Sequence, residues 1–153
     1  MTLLTGRETD LTGLEHLQGI ADGTIPPAPM AVTLGFELVE VEHGRALFAG
    51  TPGEAVYNPI GSVHGGFAAT LLDSAMGCAV QTELPRGVGY ATLELSANLV
   101  RGITAETGRV LCEGRTIHVG RRSATAEARL TQESTGKLLA HGTTTCLVTD
   151  LSA

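Results

Sequence analysis

One acid interrupts the most apolar stretch of the chain: Asp73, in Leu71-Leu72-Asp73-Ser74-Ala75-Met76. A carboxylate among apolar side chains is costly to bury unless it is hydrogen-bonded. Such a group can attack an acyl carbonyl directly or deprotonate a water molecule. The competing reading is an ordinary solvated acid, and the apolar density on both sides of Asp73 weighs against it. Upstream lies His64-Gly65-Gly66, where a loop gives way to a helical pattern. The first N–H groups of a helix lack intrahelical partners and carry partial positive charge, so they can stabilise a developing oxyanion. Glycine lets a substrate carbonyl approach that backbone, although Gly65 and Gly66 also fit a tight turn. His64 either hydrogen-bonds the reacting group or orders the loop. Asn58 offers both a donor and an acceptor, but Asn-Pro is also a common loop former. Arg121, Arg122 and Ser123 sit at a turn and form either an anion site or a solvated strand edge.

The other candidates are weaker. Ser74 lies about 100° around a helix from Asp73 and faces elsewhere. Cys78 has no basic neighbour and reads as core. His16, His43, His118 and His141 show no metal-ligand spacing, so no metal is expected.

The elements that must hold these residues follow from periodicity. Phe67, Ala68, Leu71, Leu72, Ala75, Met76, Ala79 and Val80 recur at helical spacing, which predicts one long helix from about Gly65 to Glu83. Leu84-Pro85 ends it. Residues 8 to 20, with Leu11, Leu14, Leu17 and Ile20 at steps of three, predict a short amphipathic helix. The linker Gly23 to Pro29 follows, and Met30 to Leu34 predict one more helical turn. Phe36 to Val41 and Arg45 to Thr51 flank a Glu42-His43-Gly44 turn and read as a hairpin. After the long helix everything is β: Tyr90 to Val100, Arg109 to His118, Arg122 to Thr131 and Lys137 to Val148. In the first of these, Leu93, Leu95, Ala97 and Leu99 are expected on one face and Thr92, Glu94, Ser96 and Asn98 on the other. Ala124, Ala126 and Ala128 form a row on one face of a strand, which lets a helix approach the sheet closely. Short connections make the sheet mostly antiparallel. The division expected is 1–25 as N-terminal helix and linker and 26–150 as the main domain.

Composition narrows the function. The chain has 153 residues, enough for one domain with its own core, and a net charge of −6, which argues against nucleic-acid binding. Nine of its ten basic residues are arginines, and the absence of Trp with only two Tyr and three Phe leaves no base-stacking platform. No stretch reaches the ~18 apolar residues of a membrane span. Met1 to Ile20 carries Arg7, Glu8, Asp10 and Glu15 without an apolar core, unlike a secretory signal. Cys78, Cys112 and Cys146 are few and widely spaced, which fits a reducing, cytoplasmic setting.

The pattern Asn58-Pro59-x-Gly61-x-x-His64-Gly65-Gly66, followed by Asp73 on an apolar helix, resembles the hot-dog fold acyl-CoA thioesterases. It is most similar to the phenylacetate-pathway (PaaI) type, which includes 4-hydroxybenzoyl-CoA thioesterases with an acid on the central helix. Thr92-Leu93-Glu94-Leu95, Gly120-Arg121-Arg122 and Ala140-His141-Gly142-Thr143 share the likeness, which runs from about Pro26 to Val148. The resemblance implies an α+β hot-dog fold, with an antiparallel sheet wrapped around one long central helix. It implies edge-to-edge dimers that usually pair into homotetramers. The acid is then nucleophile or general base on the thioester, the Gly65 N–H polarises its carbonyl, and Asn58 positions the acid, the substrate or the attacking water. No cofactor or metal is implied beyond the coenzyme A of the substrate. Arg121, Arg122 and Ser123 become candidates for its phosphates.

Spacing sharpens this picture. Gly65 and Asp73 are eight residues apart, hence roughly 12 Å along one helix, too far for one carbonyl to touch both. The donor of one subunit should therefore meet the acid of another across antiparallel central helices, giving two equal sites per dimer. Two other functions fit the same fold: a non-catalytic acyl-CoA sensor, and a hydratase or dehydratase in which His64 and Asp73 act as a pair.

Overall fold

The computed structural model describes residues 10–151. Three helices, α1 (Gly13–Asp22), α2 (Pro29–Leu34) and α3 (Gly65–Gln81), accompany six strands: β1 (Phe36–Glu42), β2 (Arg45–Gly50), β3 (Val88–Leu99), β4 (Val110–Val119), β5 (Ser123–Gln132) and β6 (Leu138–Asp150). The strands form one antiparallel sheet in the order β1-β2-β4-β5-β6-β3. The sheet packs against α3, which contacts every strand.

Helix α3 forms where its periodicity predicts, and all eight apolar positions at that spacing are buried. Each large side chain among them, such as Leu71, Leu72 and Met76, contributes about 1.5–3 kcal/mol by leaving water. The helix stops at Gln81 rather than Glu83 because Thr82 caps it. The Thr82 hydroxyl donates to the Ala79 carbonyl and accepts from the Gly44 N–H at 2.7 Å. This ties the helix end to the β1–β2 turn, where Gly44 takes φ 76. Helix α1 begins at Gly13, later than its leucine spacing implies. Thr12 and Glu15 form a capping box that sets the start. Residues 8 and 9 of the expected helix lie outside the described residues. Leu17 of α1 is buried in the main core, and α1 packs against the β1 edge.

The alanine row on β5 is fully buried beneath α3. The closest approach, however, is on β4. A Cβ at Gly114 would lie 2.2 Å from the Ala75 carbonyl oxygen and 2.8 Å from the Met76 nitrogen.

Strand β3 departs from simple alternation. Its pairing with β6 shifts between Thr92 and Glu94, a bulge at Leu93. Beyond it, Leu95, Ala97 and Leu99 oppose the buried Thr144, Gly142 and Ala140 and so face α3. Before it, Tyr90 and Thr92 oppose the buried Val148 and Cys146 and face the same way. Thr92 therefore shares a face with Leu95, Ala97 and Leu99, the reverse of the alternation read from sequence. β3 is also an edge strand. Every residue from Ala91 to Leu99 is exposed, with Leu93 63% and Leu99 57% accessible.

Gly114→Ala should lower unfolding stability by roughly 1–3 kcal/mol, because its methyl group meets helix backbone that cannot swing aside. A chemical-denaturation midpoint matching that of the unaltered chain would show that the helix can lift without cost.

Candidate functional site

The candidate side chains come from α3, the loop before it and the start of β3. Asp73 lies on the half-buried side of α3, beside the apolar stripe. Its Oδ1 accepts a hydrogen bond from the Thr92 hydroxyl at 2.9 Å. The other carboxylate oxygen has no hydrogen-bond partner among the described residues. Thr92 was not legible as a partner from sequence, because the bulge at Leu93 reverses its face.

At the other end of the helix His64 is the N-cap, and its Nδ1 accepts from the Gly66 N–H at 2.9 Å. Phe67 N–H bonds back to the His64 carbonyl. Gly65 occupies the first helical position, and its N–H makes no hydrogen bond among the described residues. Of the two glycine N–H groups, then, only that of Gly65 remains available to a ligand. Gly65 lines a groove of about 240 Å³ together with Asn58, His64, Leu99, Arg101 and Ile103. A Cβ at Gly65 would lie 2.6 Å from the end of the exposed Leu99 side chain, so a larger residue there would have to displace that leucine.

Asn58 is occupied in shaping the loop. Its Oδ1 accepts from the Ile60 and Ser62 N–H groups at 3.0 and 3.2 Å, and its Nδ2 donates to Ser62 Oγ at 3.0 Å. One Nδ2 hydrogen stays available on the wall of the groove. Arg101 is an addition to the sequence reading. It is exposed, lines the same groove, and makes no ion pair among the described residues.

Arg121, Arg122 and Ser123 are all exposed at the β4–β5 turn, and the two arginines likewise form no ion pair among the described residues. The cross-strand row Val119–Ala124–Cys146–Thr92 places this turn at the Thr92 end of the sheet. The turn is therefore grouped with Asp73 rather than with Gly65. Within one chain the structure thus holds two separate groups of candidate residues: Asp73–Thr92, and Gly65 with Asn58, His64 and Arg101. His64 and Asp73 are not paired.

Cys78 sits where its thiolate is disfavoured. Burial, with the Asp73 charge adding to it, pushes its thiol up to about 12. The three cysteines are free. Among the described residues no group of three His, Cys, Asp or Glu side chains could hold a metal ion, and no helix is long and apolar enough to cross a membrane.

A long helix packed on a six-stranded antiparallel sheet is an architecture shared with proteins of known class. The sequence profile of the Thioesterase superfamily matches residues 60–139. The chain is 31% identical over 107 residues to a 1,4-dihydroxy-2-naphthoyl-CoA hydrolase of Listeria monocytogenes, covering 70% of this chain and 85% of that protein. A phenylacetic acid degradation-related protein from Ralstonia eutropha superposes with TM-score 0.77 at 28% identity, over 86% of this chain and 98% of that one. A mutant of the phenylacetic acid degradation protein PaaI from Thermus thermophilus gives TM-score 0.70 at 30% identity, over 78% and 98% of the two chains. The chain belongs to the Thioesterase superfamily: it is a thioester hydrolase of the hot-dog fold, with PaaI-type structural neighbours.

Capping predicts a stability effect at His64 that is separate from chemistry. His64→Ala should cost about 1 kcal/mol in thermal or denaturant unfolding, and His64→Asn, which can also cap, should restore most of it. Equal stability of all three chains would show that the cap contributes nothing.

Proposed function

We propose that this chain hydrolyses acyl-CoA thioesters, with aromatic acyl groups the favoured class, at a site shared between two subunits. The observation that carries the proposal is the split of the machinery along α3. The free N–H of Gly65 and the tethered carboxylate of Asp73 lie roughly 12 Å apart on one helix. A two-fold axis that sets two α3 helices antiparallel brings each N–H to the other chain's acid. The exposed edge of β3 supports this pairing. It presents unpaired backbone groups and exposed leucines, an unfavourable surface unless another strand covers it. A homodimer follows, and pairing of dimers into a homotetramer fits the same superfamily.

In this arrangement the Gly65 N–H, backed by the α3 dipole, binds the thioester oxygen as charge develops on it. Thr92 holds one oxygen of Asp73, and the other faces the acyl carbon as nucleophile or activates the attacking water as base. The C–S bond breaks and coenzyme A leaves as the thiolate; where Asp73 is the nucleophile, water then cleaves the acyl–aspartate anhydride to release the acid and restore the carboxylate. Asn58 and His64 fix the loop that aims Gly65. Gly66 gives its N–H to the cap and, having no side chain, leaves room for the substrate beside Gly65. Arg121, Arg122 and Ser123 supply charge and hydrogen bonds for the phosphates, with Arg101 a further cation at the Gly65 groove. The aromatic preference draws on the Listeria relative, a naphthoyl-CoA hydrolase by name. The free thiols suit a reducing cytoplasm.

Release of free thiol from aromatic, short and long acyl-CoAs, followed with DTNB, tests the reading. Asp73→Asn should lower kcat by about 10²–10⁴-fold with unchanged circular dichroism. Full turnover by that variant would refute the assignment of the acid.

A further inference from the structure

Strand β3 ends the sheet, and hydrogen bonds at its two ends show which of its backbone groups β6 has taken. Val100 N–H donates to the Leu139 carbonyl, one step beyond the Leu99–Ala140 pair. Leu99 and Ala140 therefore exchange no backbone bonds, and the N–H and C=O of Leu99 turn to the open edge. Alternation adds Ala97 and Leu95 to this set. At the other end Leu151 N–H donates to the Gly87 carbonyl, one step beyond the Val88–Asp150 pair. By the same count Val88, Tyr90 and Thr92 turn their backbone groups outward. Thr92, Leu95, Ala97 and Leu99 thus share two properties: side chains on the α3 face and backbone groups at the edge. The bulge at Leu93 is what keeps Thr92 in step with the other three.

A two-fold axis across this edge must oppose residues that share both a face and a bonding direction. Axes at Leu95, Ser96 or Ala97 all do so, and the site selects among them. Thr92 holds Asp73, and Leu99 lies over Gly65. The Gly65 N–H of one copy meets Asp73 of the other when Leu99 of the first faces Thr92 of the second. Halfway from Gly65 to Asp73 on α3 is Ala69. Halfway from Leu99 to Thr92 on β3, with Leu93 bulged out of the ladder, is Ser96. An axis there opposes Ser96 to Ser96, Leu95 to Ala97, Glu94 to Asn98 and Thr92 to Leu99. An axis at Leu95 would set Thr92 against Ala97, and one at Ala97 would set it against Arg101.

Building on the thioesterase reading, we propose that two copies of this chain pair through β3 about an axis at Ser96, so that Leu99 of each packs beside Thr92 of the other. Thr92 and Leu99, both exposed in the single chain, are covered by this pairing.

Single cysteines on the outer face of β3 test the register in the full chain, each in a Cys78→Ser background because Cys112 and Cys146 are buried. Opposed residues that exchange no backbone bonds have Cα atoms about 4.5 Å apart, within the roughly 4.4–6.8 Å reach of a disulfide. Under mild oxidation Ser96→Cys should run as a covalent dimer on a non-reducing gel. Glu94→Cys and Asn98→Cys alone should not, because each lies four strand residues, roughly 14 Å, from its own copy across the axis. Mixed in equal amounts, dissociated and re-formed, those two variants should cross-link in about half of the dimers. Failure of both the Ser96 variant and the mixture to cross-link, or cross-linking of Asn98→Cys to itself, would overturn the register. A covalent Ser96→Cys dimer that released no thiol from any acyl-CoA would instead sink the thioesterase reading and leave the pairing intact.

Discussion

The structure depends on how closely α3 lies on its sheet. Gly114 sits directly beneath the Ala75 carbonyl, and the alanines of β5 continue the same low surface. Side chains of ordinary size there would lift the helix away from the strands. The depth of contact decides more than core density. It sets the height of Asp73 relative to β3, and a hydroxyl on that strand reaches the carboxylate at 2.9 Å only because the helix is seated low. The same seating lets Tyr90 rest on Gly77 one turn further along. Packing by small residues is thus the physical basis of the site.

From this seating comes a division of labour along one helix. Its first residue presents a backbone N–H that the His64 cap leaves free, because the cap takes the neighbouring N–H of Gly66. Its middle presents an acid with one oxygen fixed and one open. In the proposed mechanism neither group hydrolyses a thioester alone. The exposed edge of β3 runs beside both halves and is the surface through which a second copy would complete them. On this account the assembly is part of the chemistry, and a destabilised interface should weaken turnover before it weakens the fold.

Much of this was legible in the sequence, for definite reasons. The eight apolar positions of α3 repeat with a helical period, so the helix and its buried face could be read directly. The alanine row announced a close helix–sheet contact, and the His-Gly-Gly run marked the start of the helix. What escaped was non-local. The bulge at Leu93 inverts the alternation of β3, and single-strand periodicity cannot show a bulge created by pairing with β6. Thr92 was therefore placed on the wrong face, and its bond to Asp73 went unseen. Gly114 was missed because a lone glycine in a strand says nothing of what lies above it. Arg101 follows β3 in a loop, and only the fold brings it beside Gly65.

The most direct test of the shared site is subunit complementation. Gly65→Pro removes one N–H at the first helical position, where proline fits, and His64 before it already has ψ 134, as a residue preceding proline requires. Asp73→Asn removes the acid. Each variant alone should be inactive. Dissociated and re-formed together in equal amounts, half of the dimers carry one intact site of two, so about a quarter of the unaltered turnover should return. Mixtures that stay as inactive as the separate variants would contradict a site built from Gly65 of one chain and Asp73 of the other.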